Sequence, residues 1–224
     1  MNALFPPLKT VAPVPFARRA AVGLSAWFVM VFVLAAGGAF VTPPNRLPFP
    51  TLAAIVLPLV VFALAFAALP DLRRFVHRLD PRDLILVHSF RMVGLVFIVL
   101  YFYGHLPGSF AWPAGLGDAV TAVVALVIGT RLRKGQAVSR NTVWWWNTFG
   151  LMDFAVAVSA GVLTRSGTVA GGISSETLAT FPLALIPTFV VPFYIITHGI
   201  IYLRLREHSV PDHRRTRPAS ARFE

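Results

Sequence analysis

Uncharged apolar stretches of about twenty residues alternate along this chain with short connections rich in Arg, Pro or Gly. Runs such as Val29-Met30-Val31-Phe32-Val33-Leu34 are apolar on every side, whereas a membrane barrel strand alternates apolar with polar residues. Helices are therefore predicted. A charge at mid-bilayer costs ~2.5 kcal/mol or more, so uncharged windows mark the crossings. Six windows emerge, near residues 20–41, 50–69, 84–105, 109–130, 143–164 and 181–203. The predicted fold class is an all-α integral membrane bundle of six transmembrane helices. One crossing takes ~20 helical residues, so six and their connectors leave no room for a soluble domain within 224 residues.

Composition agrees, since 56% hydrophobic residues against 13% charged is more than a water-facing surface tolerates. The placement of the basic residues adds an orientation. Of 20 Lys and Arg, 17 fall in four connections. Lys9, Arg18 and Arg19 precede the first helix; Arg73, Arg74, Arg78 and Arg82 follow the second; Arg131, Arg133, Lys134 and Arg140 follow the fourth; six arginines follow the sixth. Only Arg46 and Arg165 lie in the alternate connections, and Arg91 lies inside a helix. The positive-inside rule then puts both termini in the cytoplasm of a bacterial-type inner membrane. Residues 1–19 read as a proline-rich cytoplasmic arm, 20–203 as the helical domain and 204–224 as a basic tail. The first helix reads as an uncleaved anchor, because its uncharged run is longer than a signal-peptide core.

A formal charge of +11 needs no nucleic acid on this reading, since a basic rim beside anionic headgroups gains ~1 kcal/mol per Lys or Arg. The tail lacks the interleaved aromatics of an RNA-binding segment. The expected partners are anionic lipid at the cytoplasmic face, and another membrane protein or a second copy of the chain. The absence of cysteine removes disulfides, thiolate chemistry and cysteine-ligated metals.

Candidate chemistry lies in the few polar residues carried at depth. At 1.5 Å per residue, Arg91 stands ~12 Å from the basic boundary, and Asp118 and Asp153 ~20 Å from it. Unpaired, each is costly, so Arg91 should face the interior and pair with an aspartate. Helical side chains lean toward their own N-terminus, which tips Asp153 toward Arg91 and Asp118 away. The expectation is an Arg91–Asp153 pair, with Asp118 a surplus acid of the kind found in proton relays. The structural alternative is a buried pair that holds helix register.

His88, His198 and Asn147 form a second group within ~7 to 11 Å of the same boundary, and His88 shares a helix face with Arg91 three residues on. A conduit from the histidines through Arg91 to the aspartates is conceivable from spacing. Two histidines on different helices also raise haem b, or a quinone-linked redox role, although their opposite leans disfavour a shared ligand plane. No local spacing of metal ligands is present.

The stretch 106–118 holds two prolines and three glycines, which predicts a kinked, unwound or late-starting fourth helix with Asp118 at the base of an outward cavity. The alternative is a tight turn before a small-residue packing face through Thr121, Ala122, Ala125 and Gly129. Pro182, Pro187 and Pro192 predict a bent sixth helix, with Thr188 and Thr197 able to satisfy freed carbonyls. Trp144, Trp145 and Trp146, with Tyr101, Tyr103 and Trp112, read as interfacial anchors.

No serine-hydrolase elbow, zinc-protease motif or phosphate-binding loop occurs, so nothing argues for an enzyme. The leading expectation is an inner-membrane protein that binds or conducts a small solute or protons through an interior centred on Arg91, Asp118 and Asp153. An accessory subunit with a polar packing core is the rival.

Overall fold

In the computed structural model, the structure describes residues 15–43, 46–165 and 173–207, together with Leu4. Eight α-helices cover most of them: α1 (Pro15–Ala36), α2 (Phe49–Ala68), α3 (Pro70–Val76), α4 (Pro81–Val87), α5 (Leu95–Phe102), α6 (Gly108–Arg133), α7 (Arg140–Arg165) and α8 (Val191–Glu207). A 3₁₀ segment, His88–Gly94, joins α4 to α5, and a π-helical turn, Ile186–Val190, leads into α8. No strand occurs among the described residues. Six helical stretches are long and apolar enough to cross a membrane: α1, α2, α4 with α5, α6, α7, and α8 with its π turn.

The chain alternates between two ends of the bundle. At one end the arginine-rich connections meet: Arg133 pairs with Asp83 at 2.5 Å, Arg204 donates to the His77 carbonyl, and Arg140 donates to that of Leu205. Phe16 at the start of α1 packs there on Phe75. At the opposite end Arg165 reaches Thr42, and Thr177 donates to the His105 carbonyl. The exterior between is apolar, with Leu64, Phe90 and Phe102 each more than half exposed. This inverts a soluble protein, whose outward residues are polar.

α6 is the central helix, packed on α4, the 3₁₀ segment, α5 and α7. Its buried positions Ala111, Ala114, Thr121, Ala125, Ile128 and Leu132 recur at steps of three, four or seven residues, which keeps them on one face, and its small residues let neighbours close in. A Cβ at Gly129 would stand 2.5 Å from the Leu86 side chain, and one at Gly115 would stand 2.7 Å from Ile98. The expected break in this helix is not there. α6 runs unbroken from Gly108 through Pro113, which forgoes only the one internal hydrogen bond to the Ser109 carbonyl. The small-residue face is present along it.

α1 ends at Ala36, five residues before the predicted boundary. Gly38 takes φ +75°, and the N–H groups of Ala39 and Gly38 bond the carbonyls of Leu34 and Ala35. This is the glycine stop that terminates helices, and hydropathy alone is blind to it. The sixth span starts at Ile186 rather than near 181, since residues 181–184 form turns. Thr188 and Thr197 do donate their hydroxyls to the Ala184 and Tyr194 carbonyls. Of the predicted arm, residues 15–19 belong to α1, and of the predicted tail, residues 204–207 belong to α8. The remainder of the tail, and of the arm apart from Leu4, lies outside the described residues.

Packing at Gly129 is directly testable. Gly129→Val should lower the melting temperature of the detergent-solubilised protein by the equivalent of ~1–3 kcal/mol through overpacking. Gly23→Val, which meets nothing within 4 Å, should leave it unchanged.

Candidate functional site: a buried ionic cluster at the floor of a cavity

Five residues, Ile85, His88, Arg91, Gly94 and Phe97, recur at every third position, and all five are buried. An ordinary α-helix would drift by about 60° at each such step, whereas a 3₁₀ turn has three residues and keeps i and i+3 in line. The 3₁₀ segment thus aims His88, Arg91 and Gly94 at α6, α7 and α8 together, and leaves Phe90 facing outward.

Arg91 is 1% exposed and its guanidinium is almost fully used. Nε donates to Asp118 Oδ1 at 2.7 Å, Nη2 to Asp153 Oδ2 at 2.5 Å, and Nη1 to the Gly150 carbonyl at 3.2 Å. Nη1 also lies 3.2 Å from His198 Nε2, and Cζ sits 3.8 Å over the Phe154 ring centre. The Arg91–Asp153 pair is present. The expectation that Asp118 is left without a charge partner is corrected, because Arg91 grips both carboxylates. The reason is backbone proximity: a Cβ at Gly94 would fall 2.5 Å from the Asp118 Cβ, so α6 passes close enough that the lean of its side chain no longer matters. Gly117 and Gly150 serve likewise. A Cβ at Gly117 would overlap the Asp153 carboxylate, and one at Gly150 would stand 2.6 Å from the His198 ring.

Below Arg91 lie the histidines, and hydrogen bonding orders their protons. Arginine only donates, so His198 Nε2 accepts and its Nδ1–H donates to Asn147 Oδ1 at 2.7 Å. Asn147 Nδ2 donates in turn to the His198 carbonyl, which fixes the amide orientation. Thr197 gives its hydroxyl proton to the Tyr194 carbonyl and so accepts from His88 Nε2 at 3.1 Å. His88 Nδ1 is then a bare, buried acceptor without a partner among the described residues. All six residues singled out in the sequence, Arg91, Asp118, Asp153, His88, His198 and Asn147, therefore meet in one contiguous cluster.

Several members carried no such signal. Hydropathy does not set Phe154 or Tyr194 apart from their neighbours, and the three glycines carry no polar atom to attract notice. Trp146 read as an interfacial anchor, but it is buried, donates Nε1 to the Thr121 carbonyl and packs its ring against His88 and His198. Trp144 and Trp145 remain exposed on the outside.

The histidine pair does not fit haem b. Axial imidazoles hold an iron and its porphyrin between them, whereas the rings of His88 and His198 are in contact, with centroids 4.0 Å apart. Their Nε2 atoms are also engaged by Thr197 and Arg91. No three described His, Asp or Glu residues meet in a group suited to a metal ion.

Above the cluster a cavity of about 100 Å³ extends toward the arginine-poor end. Ile55, Phe97, Phe110, Ala157, Val158 and Val191 wall it, and Arg91, Asp118 and Asp153 form its floor. Asp118, its side chain 14% exposed, is the most open of the three.

Six apolar helices packed around a charged interior are the build of a helical membrane protein. The chain belongs to the family described as a domain of unknown function (DUF8737), whose model matches residues 48–206, from the residue before α2 into the last turn of α8. Every residue of the cluster falls inside that match. No curated protein and no solved structure matches the chain.

Removing Arg91 strands two carboxylates. Arg91→Met should destabilise the protein by ~3–5 kcal/mol, read as a lowered melting temperature in detergent. Adding Asp118→Asn and Asp153→Asn to it should recover a substantial part of that loss.

Proposed function

We propose that the protein is a multi-pass protein of a bacterial-type inner membrane that binds a small solute in the cavity and moves it, or a proton with it, by way of Asp118 and Asp153. One observation carries this reading: the cavity reaches the ionic cluster. A pair kept only to hold helices in register is best sealed by packing on every side, because open space beside it forfeits contacts and desolvates charge without return. Here apolar walls lead down to a floor of charge, the arrangement general to small-molecule sites. The cluster also holds two carboxylates against one guanidinium. That imbalance suits a proton, or a donor group on the solute, as the missing positive partner.

The accessory-subunit reading draws on a different feature, the near-complete saturation of Arg91 by fixed partners, including a backbone carbonyl. The two readings separate experimentally. Asp118→Asn keeps shape and hydrogen-bonding capacity while removing one charge, so on the solute-binding reading the melting temperature stays close to wild type while proton-coupled uptake into proteoliposomes is lost. Unchanged ion and solute fluxes in the folded variant would favour the accessory role.

The orientation with both termini in the cytoplasm follows from the arginine-rich end facing anionic lipid. Single cysteines placed at Arg133 and Arg165 should accordingly label from opposite sides of the membrane with an impermeant maleimide. Labelling of both from one side would overturn the topology.

A further inference from the structure

The cavity has a second polar end, and it is built for negative charge. Arg165 lies twelve residues beyond Asp153 on α7, ~18 Å along the helix, where it lines the far mouth of the cavity at 3% exposure. Its Nη2 donates to the carbonyl and hydroxyl oxygens of Thr42. Its Nη1 stands 3.6 Å from Glu176, too far for a hydrogen bond, and that carboxylate is 44% exposed. Its Nε has no partner among the described residues. Guanidinium presents its donors as a planar fork matched to carboxylate and phosphate, and a bare Nε–H on a buried arginine is an unused tine of that fork.

Thr51 provides a second, independent observation. The residue lines the same cavity, and its hydroxyl is buried and has no partner among the described residues. It belongs to the first turn of α2, which no side chain caps, and Pro48 at that helix start also lines the mouth. A helix N-terminus carries partial positive charge and favours anions, here through its dipole, since the Phe49 N–H already bonds the Leu47 carbonyl and Pro50 has none. An arginine, a hydroxyl and a helix start thus border one space, and the walls between it and the floor are apolar.

We infer that this mouth binds the oxyanion, carboxylate or phosphate, of a small amphiphile whose apolar part occupies the cavity. The inference rests on the solute-binding reading above and supplies its substrate class. A weak acid satisfies both polar ends: its anion matches Arg165 and Thr51, and its proton matches the surplus carboxylate of the floor. Glu176, half exposed and loosely held, is the counter-ion that the ligand displaces.

Titration calorimetry on the purified protein in non-ionic detergent tests this with hexanoate and hexan-1-ol as probes. Hexanoate should bind the wild type about tenfold or more tightly than Arg165→Gln, since a charged hydrogen bond contributes ~1.5–3 kcal/mol. Thr51→Val, nearly isosteric and so little disposed to misfold, should weaken hexanoate several-fold. Hexan-1-ol should bind all three proteins alike. Competition by inorganic phosphate would identify a site open to the free anion, and competition by lysophosphatidate alone a lipid headgroup; each supports the shared oxyanion chemistry. Equal hexanoate affinity in wild type, Arg165→Gln and Thr51→Val overturns the oxyanion site while the cavity reading stands. Failure of both probes to bind the wild type overturns the cavity reading itself.

Discussion

A guanidinium sealed inside an apolar bundle tolerates no vacancy among its partners, and the interior of this protein is arranged around that demand. Arg91 draws a carboxylate from α6, a carboxylate and a carbonyl from α7, an imidazole from α8 and an aromatic face from α7. Four of the six helical stretches long enough to cross a membrane are thereby tied to one side chain. Losing a carboxylate outright, as distinct from exchanging it for an amide that still accepts a hydrogen bond, leaves buried charge uncompensated at a cost of several kcal/mol, which makes the cluster both a clamp and a constraint on the helices that supply it.

Backbone geometry makes the clamp feasible. The 3₁₀ segment aligns His88, Arg91 and Gly94 on one stripe, and glycine at 94, 117 and 150 removes the Cβ atoms that would collide with Asp118, Asp153 and His198. Charge density of this kind requires helices closer than ordinary side chains permit. The glycines are therefore as much part of the site as the groups that carry charge, and a 3₁₀ stretch in mid-span has a positional purpose here.

Asymmetry across the cluster gives it direction. Toward the basic end, the histidines, Asn147 and Trp146 are packed and fully buried, whereas toward the opposite end the aspartates meet a cavity. A solute or proton reaching Asp118 from the cavity would meet Arg91 next, and behind it the imidazole of His198. Arg91 keeps its protons, so it separates the carboxylates at the cavity floor from the imidazoles behind it, where His88 Nδ1 has no partner among the described residues.

The number of helices long and apolar enough to cross a membrane, the gathering of the basic connections at one end and the six polar residues of the cluster were legible in the sequence, because lipid penalises charge so heavily that each exception stands out against the apolar background. Boundaries were read less well where a glycine stop or a run of turns, invisible to hydropathy, ended a helix, as at Gly38 and before Ile186. Partner choice was read in part: side-chain lean paired Asp153 with Arg91, as the structure has it, but assigned Asp118 away, whereas the distance between two backbones is set by what packs between them, and at Gly94 nothing does. Tertiary structure alone also decided that Trp146 turns inward, that Phe154 lies on the guanidinium and that Arg165 and Thr51 share a mouth. Those are relations between helices remote in sequence, and the apolar or solitary residues that form them carry no local pattern to betray the meeting.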